Sequence, residues 1–256
     1  MTLKKFINLF IKNFNKMANY KVGIILQARM GSTRLPNKML ILIEGKTLLE
    51  HIIERLKHSK YSKNIILATS DRERDKVLVE HVKNLKVLTF RGSEEDVLDR
   101  FVNAINKFNL DIIVRICGDN VFVDPKCIDQ IVDYLIKNKL DYVGSFHENG
   151  WPGGSGAEVI TKEALFKINN LCKNIKYREH VTLFAREHQD LFKFYNFDAP
   201  LNLLRPNLKL TVDTPEDLNF VRNIYKKLYN QKKFFELNDV INLIDKEPSI
   251  VSNVHT

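Results

Sequence analysis

The chain has 256 residues, 44% hydrophobic and 28% charged, enough to bury one substantial core and to fit a single large α/β domain rather than a disordered chain. Its formal net charge of +9 suits a polyanion, an anionic surface or a phosphorylated small molecule. The basic residues are spread along the chain without a tail or an aromatic-interleaved block, which argues against nucleic acid as the partner. Cys117, Cys127 and Cys172 lack CxxC or Cys/His ligand spacing, so neither a disulfide framework nor a zinc site is indicated, and a reducing, cytoplasmic compartment is expected.

Residues 1–20 (MTLKKFINLFIKNFNKMANY) read as an N-terminal extension. Lys12 interrupts its apolar stretch short of the ~18 residues of a spanning helix, and no small-residue cleavage site follows. An amphipathic helix in weak peripheral contact with a membrane or a partner is one reading. A frayed extension ahead of a start at Met17 is the other. No transmembrane segment is expected elsewhere, and residues 21–256 read as one domain.

From residue 21 onward, short β-branched runs alternate with helix-period segments, the pattern of a mostly parallel sheet with crossover helices. The predicted elements begin with strand VGIIL (22–26) and helix TLLEHIIERLKH (47–58). Strand NIILATS (64–70), helix RDKVLVEHV and strand KVLTFRG (86–92) follow. SEEDVLDRFVNAINKF reads as a helix with Ser93 as N-cap and Asp96 echoing a capping box. Strand DIIVRICG (111–118) leads by a loop to helix CIDQIVDYLIKN. After DYVGSF (141–146), the glycine-rich HENGWPGGSG (147–156) reads as a mobile loop. Beyond it are predicted EVIT, a helix from Lys162, a second helix over 178–188, the strand-like LFKFYNF, and strand LKLTVDT (208–214). The last runs into helix PEDLNFVRNIYKKLY, with Thr214 as cap and Pro215 in its first turn.

Open parallel sheets bind ligands beyond the carboxyl ends of their strands. Just there, QARMGSTRLPNKML (27–40) gathers Arg29, Arg34 and Lys38 around the small-residue turn Gly31-Ser32-Thr33, with no acid among them. A lone glycine excludes a dinucleotide fingerprint, and Asn37 before Lys38 without the Gly-to-Lys frame excludes a Walker loop. What remains is a loop of exposed backbone N–H groups from Met30 to Thr33, with three cations able to converge on one polyphosphate. Asp119 and Asp213 each follow a predicted strand on the same edge, and two carboxylates with phosphate oxygens suit Mg²⁺. Capping or turn closure is the structural alternative for both. Glu216 and Asp217, in a first helical turn, complement the helix dipole.

The loop resembles the N-terminal signature of cytidylyltransferases of the spore coat polysaccharide biosynthesis F type. These are relatives of the synthetases that make CMP-activated 3-deoxy-octulosonate and sialic acids. The resemblance continues in order through ATSD (68–71), RGSEEDVLDRF (91–101), VRICGDNVFVDP (114–125), REHVT (178–182) and LTVDTPEDL (210–218). It implies a Rossmann-like nucleotidyltransferase fold with helices on both faces of the sheet. It also implies transfer of CMP from CTP to a sugar acid or related small acid, with release of pyrophosphate, for surface-glycan synthesis.

By that resemblance Arg29 and Lys38 contact the phosphates, Arg34 lies near them, and Asp119 and Asp213 hold Mg²⁺. Leu26, Ala28, Arg29, Gly31 and Ser32 form one side of the nucleotide site, and Thr69, Ser70, Arg91, Gly92 and Ser93 the other. Glu158, Arg178, Glu179 and His180 fall on the acceptor side. A pyrimidine and a homodimer are also implied. Asp96 and Arg100 read either as an ordinary i,i+4 pair or as ligand contacts. Departures from the family pattern are Asn37 for Gly, Asn120-Val121 for Cys-Pro, and Gly156 for Asp. Two rival readings are a nucleotide-sugar glycosyltransferase of related fold, for which no Asp-x-Asp motif follows a strand in the relevant region, and a degenerate non-catalytic nucleotide-binding protein.

Overall fold

A computed structural model describes residues 20–250, so the readings for the N-terminal extension lie, but for Tyr20, outside the described residues. Strand β1 (Val22–Gln27) has its first five residues buried, as expected of a strand covered on both faces. It lies between β4 (Ile65–Ser70) and β6 (Ile112–Cys117), parallel to both, and β5 (Leu88–Gly92) extends the parallel array beyond β4. On the other side, β8 (Glu158–Thr161) runs antiparallel to β6, β7 (Tyr142–Gly144) antiparallel to β8, and β9 (Phe194–Asn196) parallel to β7. The seven strands stand in the order β5-β4-β1-β6-β8-β7-β9.

The pleat sends alternate side chains of β1 into two cores. Ile24 and Leu26 join the core under α1 (Leu48–Leu56), α2 (Lys76–Val82), α4 (Pro125–Asn138), α8 (Pro215–Leu228) and α9 (Leu237–Lys246). Ile25 joins the core under α3 (Val97–Phe108) and α5 (Lys162–Leu171). The helix starts follow capping chemistry. Thr47 opens α1 and Thr214 opens α8, each in a capping box, and Pro215 lies in the first turn of α8. Among the described residues, no helix is long and apolar enough to cross a membrane.

The structure corrects several sequence expectations. Helix α3 begins at Val97 with Asp96 as its N-cap; Ser93 Oγ instead accepts from the Asp96 amide at 3.0 Å. The helix expected over 178–188 is two short ones, α6 (Ile175–Glu179) and α7 (Leu183–Glu187). The break lets Thr182 turn inward and donate its hydroxyl to Glu158 at 2.7 Å.

Residues 208–214 form no sheet strand: they make one bridge, Gly153 with Lys209, and run along the glycine-rich segment. That segment is held rather than loose, since Gly153 and residues 208 and 210 exchange backbone hydrogen bonds of 2.8 and 2.7 Å and Trp151 is buried. Two elements were not anticipated. One is α9. The other is the hairpin of β2 (Leu42–Ile43) and β3 (Lys46–Thr47), whose turn residues Glu44 and Gly45 both have positive φ.

Candidate active site

The loop after β1 is fixed by a buried carboxylate from elsewhere. Asp75, fully buried, accepts the Met30 amide at 2.6 Å and the Ser70 hydroxyl. The Ser32 amide donates to the Met30 carbonyl at 2.8 Å. The Met30 and Ser32 amides are therefore already engaged, and the expected unbroken row of free N–H groups from Met30 to Thr33 is not formed. Asn37 adopts the left-handed conformation with φ 58°. Asparagine tolerates that region better than most residues, which explains why it can stand where the family pattern has glycine.

Acids absent from this stretch arrive from distant segments. Lys38 Nζ donates to the Val212 carbonyl at 2.8 Å and lies 3.5 Å from Asp213 Oδ1. Arg34 reaches the same oxygen at 3.3 Å, and Lys209 lies 3.7 Å from Oδ2. The Asp119 carbonyl accepts the Val212 amide at 3.1 Å, so the turn after β6 and the segment carrying Asp213 run side by side. Asp119 Oδ1 is buried with no hydrogen-bond partner. Burial pushes the Asp119 carboxyl up from its ordinary value, Asp213 adds to the rise, and Lys38 opposes it.

These groups surround a cavity of about 380 Å³ at the carboxyl edge of the sheet. Of the expected site residues, Ala28, Arg29, Gly31, Ser32, Arg34, Lys38, Asp119, Glu179, His180 and Asp213 border it. The others are elsewhere. Leu26 is fully buried in the core. Thr69 and Ser70 are fully buried, Ser70 on Asp75. The Arg91 guanidinium donates to the carbonyls of Ser70, Asp71 and Arg72, tying β4 to β5. Gly92 packs against Arg100, and the Ser93 carbonyl accepts from Arg100 at 3.0 Å. Arg178 pairs with Asp96 at 2.7 Å and bonds Asn169. Asp217 is structural, accepting from the amides of Asp213 and Thr214 and from Lys209.

Glu158 faces a smaller adjoining cavity of about 160 Å³. Its carboxylate is taken up by Arg115, Tyr142 and Thr182. Burial opposes its ionisation, but those three partners together hold the carboxyl below its ordinary value. It therefore orients Arg115, which borders both cavities, as does Cys117. Gly156 borders the smaller one, and a Cβ there would collide with the Ser145 carbonyl. No larger residue fits without a backbone shift.

The larger cavity is also bordered by Gln27 and Arg115, which sequence reasoning did not assign to the site, and by Arg100, for which ligand contact was one of two readings. Arg100 does not pair with Asp96. It is 1% exposed, its Nε has no partner, and burial with the nearby Arg29 pushes it down to about 10. The signal was available, since a strand-interior Arg115 and a helical Arg100 on an otherwise apolar face need a reason to be buried.

The molecule is an open α/β sheet whose carboxyl edge, where such sheets bind ligands, joins a cationic loop to two aspartates. The sequence profile of the family described as Cytidylyltransferase matches residues 23–241. The spore coat polysaccharide biosynthesis protein SpsF of Bacillus subtilis is 35% identical over 229 residues, 88% of this chain and 94% of that protein. A protein of Methanocaldococcus jannaschii, MJ1063, is 41% identical over 234 residues, 90% of this chain and 93% of its own. The solved structure of a cytidylyltransferase from Leptospira borgpetersenii superposes with a TM-score of 0.86 at 33% identity, covering 92% of this chain and 98% of that one. The chain belongs to the cytidylyltransferase family, and it is a CTP-using nucleotidyltransferase.

Proposed function

We propose that the chain transfers CMP from CTP to a sugar acid for surface-polysaccharide synthesis, with the triphosphate against Arg29, Gly31, Ser32, Arg34 and Lys38. The observation that carries this reading is the buried, unpartnered Oδ1 of Asp119 beside the Lys38–Asp213 pair, in a cavity sized for a nucleotide. Asp119 and Asp213 fit Mg²⁺, a hard ion that takes one or two carboxylates and completes its shell with phosphate oxygens and water. When bound, Mg²⁺ supplies positive charge to the phosphates.

The chain's own residues do the rest. In the bound state Lys38 and Arg34 exchange Asp213 for phosphate oxygens and stabilise the departing pyrophosphate. Arg115, held by Glu158, Glu179 and His180 orient the acceptor where the two cavities meet. An acceptor that attacks through a carboxylate is already ionised at neutral pH, so positioning replaces a general base. The free cysteines support a cytoplasmic location, and the family resemblance supports a homodimer.

The test is pyrophosphate release from CTP and Mg²⁺ with 3-deoxy-octulosonate, N-acetylneuraminate and related acids. Release with CTP well above UTP, dependent on one acid, is the expected result. Equal release with every nucleotide, or none with any acid, contradicts the reading.

A further inference from the structure

A third cavity, of about 400 Å³, lies between α1 and α8 and is closed by residues 233–235, with none of the nucleotide-site residues on its border. Its walls are largely aromatic: Tyr225, Tyr229, Phe234 and Phe235, with His58 stacked on Phe234 at 3.7 Å between ring centroids. Its charge is one-sided. Lys46, Arg55, Lys57 and Lys233 border it against a single carboxylate, Glu54, which is already bonded to Lys46. Lys57 and Lys233 have no carboxylate partner among the described residues; Lys233 lies 4.4 Å over the Tyr229 ring.

Arg55 is the decisive group. It is 4% exposed, its Nε donates to the Val123 carbonyl at 2.8 Å, and its Nη1 donates to the Phe235 carbonyl at 2.9 Å. Nη2 has no hydrogen-bond partner, the Phe234 and Phe235 ring centroids lie 5.5 and 5.4 Å from the guanidinium carbon, and no carboxylate forms an ion pair with the guanidinium among the described residues. Burial pushes the guanidinium down, opposed by the more distant Tyr225, Asp124 and Asp239. A charge taken out of water without a counter-ion is costly, and an anion supplied from outside removes the cost.

We infer that this cavity is a second anion site, which takes a small carboxylate or phosphate carried on an aromatic or aliphatic body. The aromatic walls hold the body, and Arg55 with Lys57 and Lys233 holds the oxyanion. The cavity is independent of the nucleotide reading, because it shares no residue with that site.

Titration of the full chain followed by NMR at the Arg55 Nε–H and the His58 ring tests it, with the Gly31 amide reporting separately on the nucleotide cleft. The probes are phenylphosphonate, benzoate, inorganic phosphate and benzylammonium. At least one of the two aromatic anions should give saturable shifts at Arg55 and His58 with Kd of about 5 mM or tighter, at least ~5-fold tighter than inorganic phosphate. Which of the two binds more tightly identifies the oxyanion. The double variant Lys57→Glu/Lys233→Glu should weaken that binding by ~10-fold or more and leave the Gly31 response unchanged. Absence of a saturable shift at Arg55 up to ~20 mM of either aromatic anion overturns the inference. So does equal binding of benzylammonium, or undiminished binding in the double variant.

Discussion

Arg115 lies inside β6 and Asp119 just beyond it, yet they belong to clusters in opposite electrostatic states. Around Arg115, the Glu158 carboxylate is bonded by a guanidinium and two hydroxyls, and Arg115 is pushed up while Glu158 is held down. Around Asp119, one buried oxygen has no partner, and Lys38, the cation that acts on it most, lies against Asp213. A cluster complete in itself gives stability and orientation. A cluster left incomplete can take charge from a ligand, and it is there that the proposed function concentrates transition-state stabilisation.

The contrast breaks if variants in the two clusters behave alike. Asp119→Asn and Lys38→Ala should each lower kcat by ~10³ or more in the pyrophosphate assay. Asp119→Asn should raise the melting temperature at pH 7, since it removes a buried carboxylate with one unpartnered oxygen. Glu158→Ala should cost about 3–5 kcal/mol, because it strands the Arg115 charge in the interior. At about 2–4 °C per kcal/mol for a chain of this size, calorimetry should show a fall of roughly 6–20 °C.

Titration sharpens the same comparison, with opposite signs in the two clusters. Glu158 is held below its ordinary value of 4.5, so its contribution is present above that pH and is lost as pH falls through the folded value. Asp119 is raised above its ordinary value of 3.8, so its contribution is present below that pH and is lost as pH rises through the folded value. In urea unfolding, Glu158→Gln should flatten the loss of stability below about pH 4.5. Asp119→Asn should stabilise at pH 7 and do nothing near pH 3. The smallest effect expected is that of Thr214→Ala. It removes the N-cap of α8 just after Asp213 and should cost about 1 kcal/mol.

Legibility in the sequence followed the same division. Apart from the β2–β3 hairpin and the start of α3, the strands and helices up to Asn138 could be read because apolar periodicity there is sustained and the helix starts carry capping residues. Beyond Gly144 it faded. The run LKLTV alternates like a strand, but its backbone partners are the glycine-rich segment and the Asp119 turn, a tertiary choice that no local pattern announces.

In the site, residues that follow β1 and β6 were found from their position at strand ends. Residues quoted only because they stand in a shared block divided. Glu179 and His180 reach the cavity, while Arg91, Ser93 and Arg178 hold the frame around it. Asp75, which fixes the loop after β1, was invisible because its partner is a backbone amide 45 positions away.

Diffraction from the protein soaked with CTP and Mn²⁺ at the manganese edge tests the central claim most directly. The account predicts an anomalous peak within ligand distance of an Asp119 carboxylate oxygen and of the triphosphate, with the Lys38 ammonium moved from Asp213 to a phosphate oxygen. A peak away from Asp119, or a triphosphate that leaves Lys38 on Asp213, would contradict it.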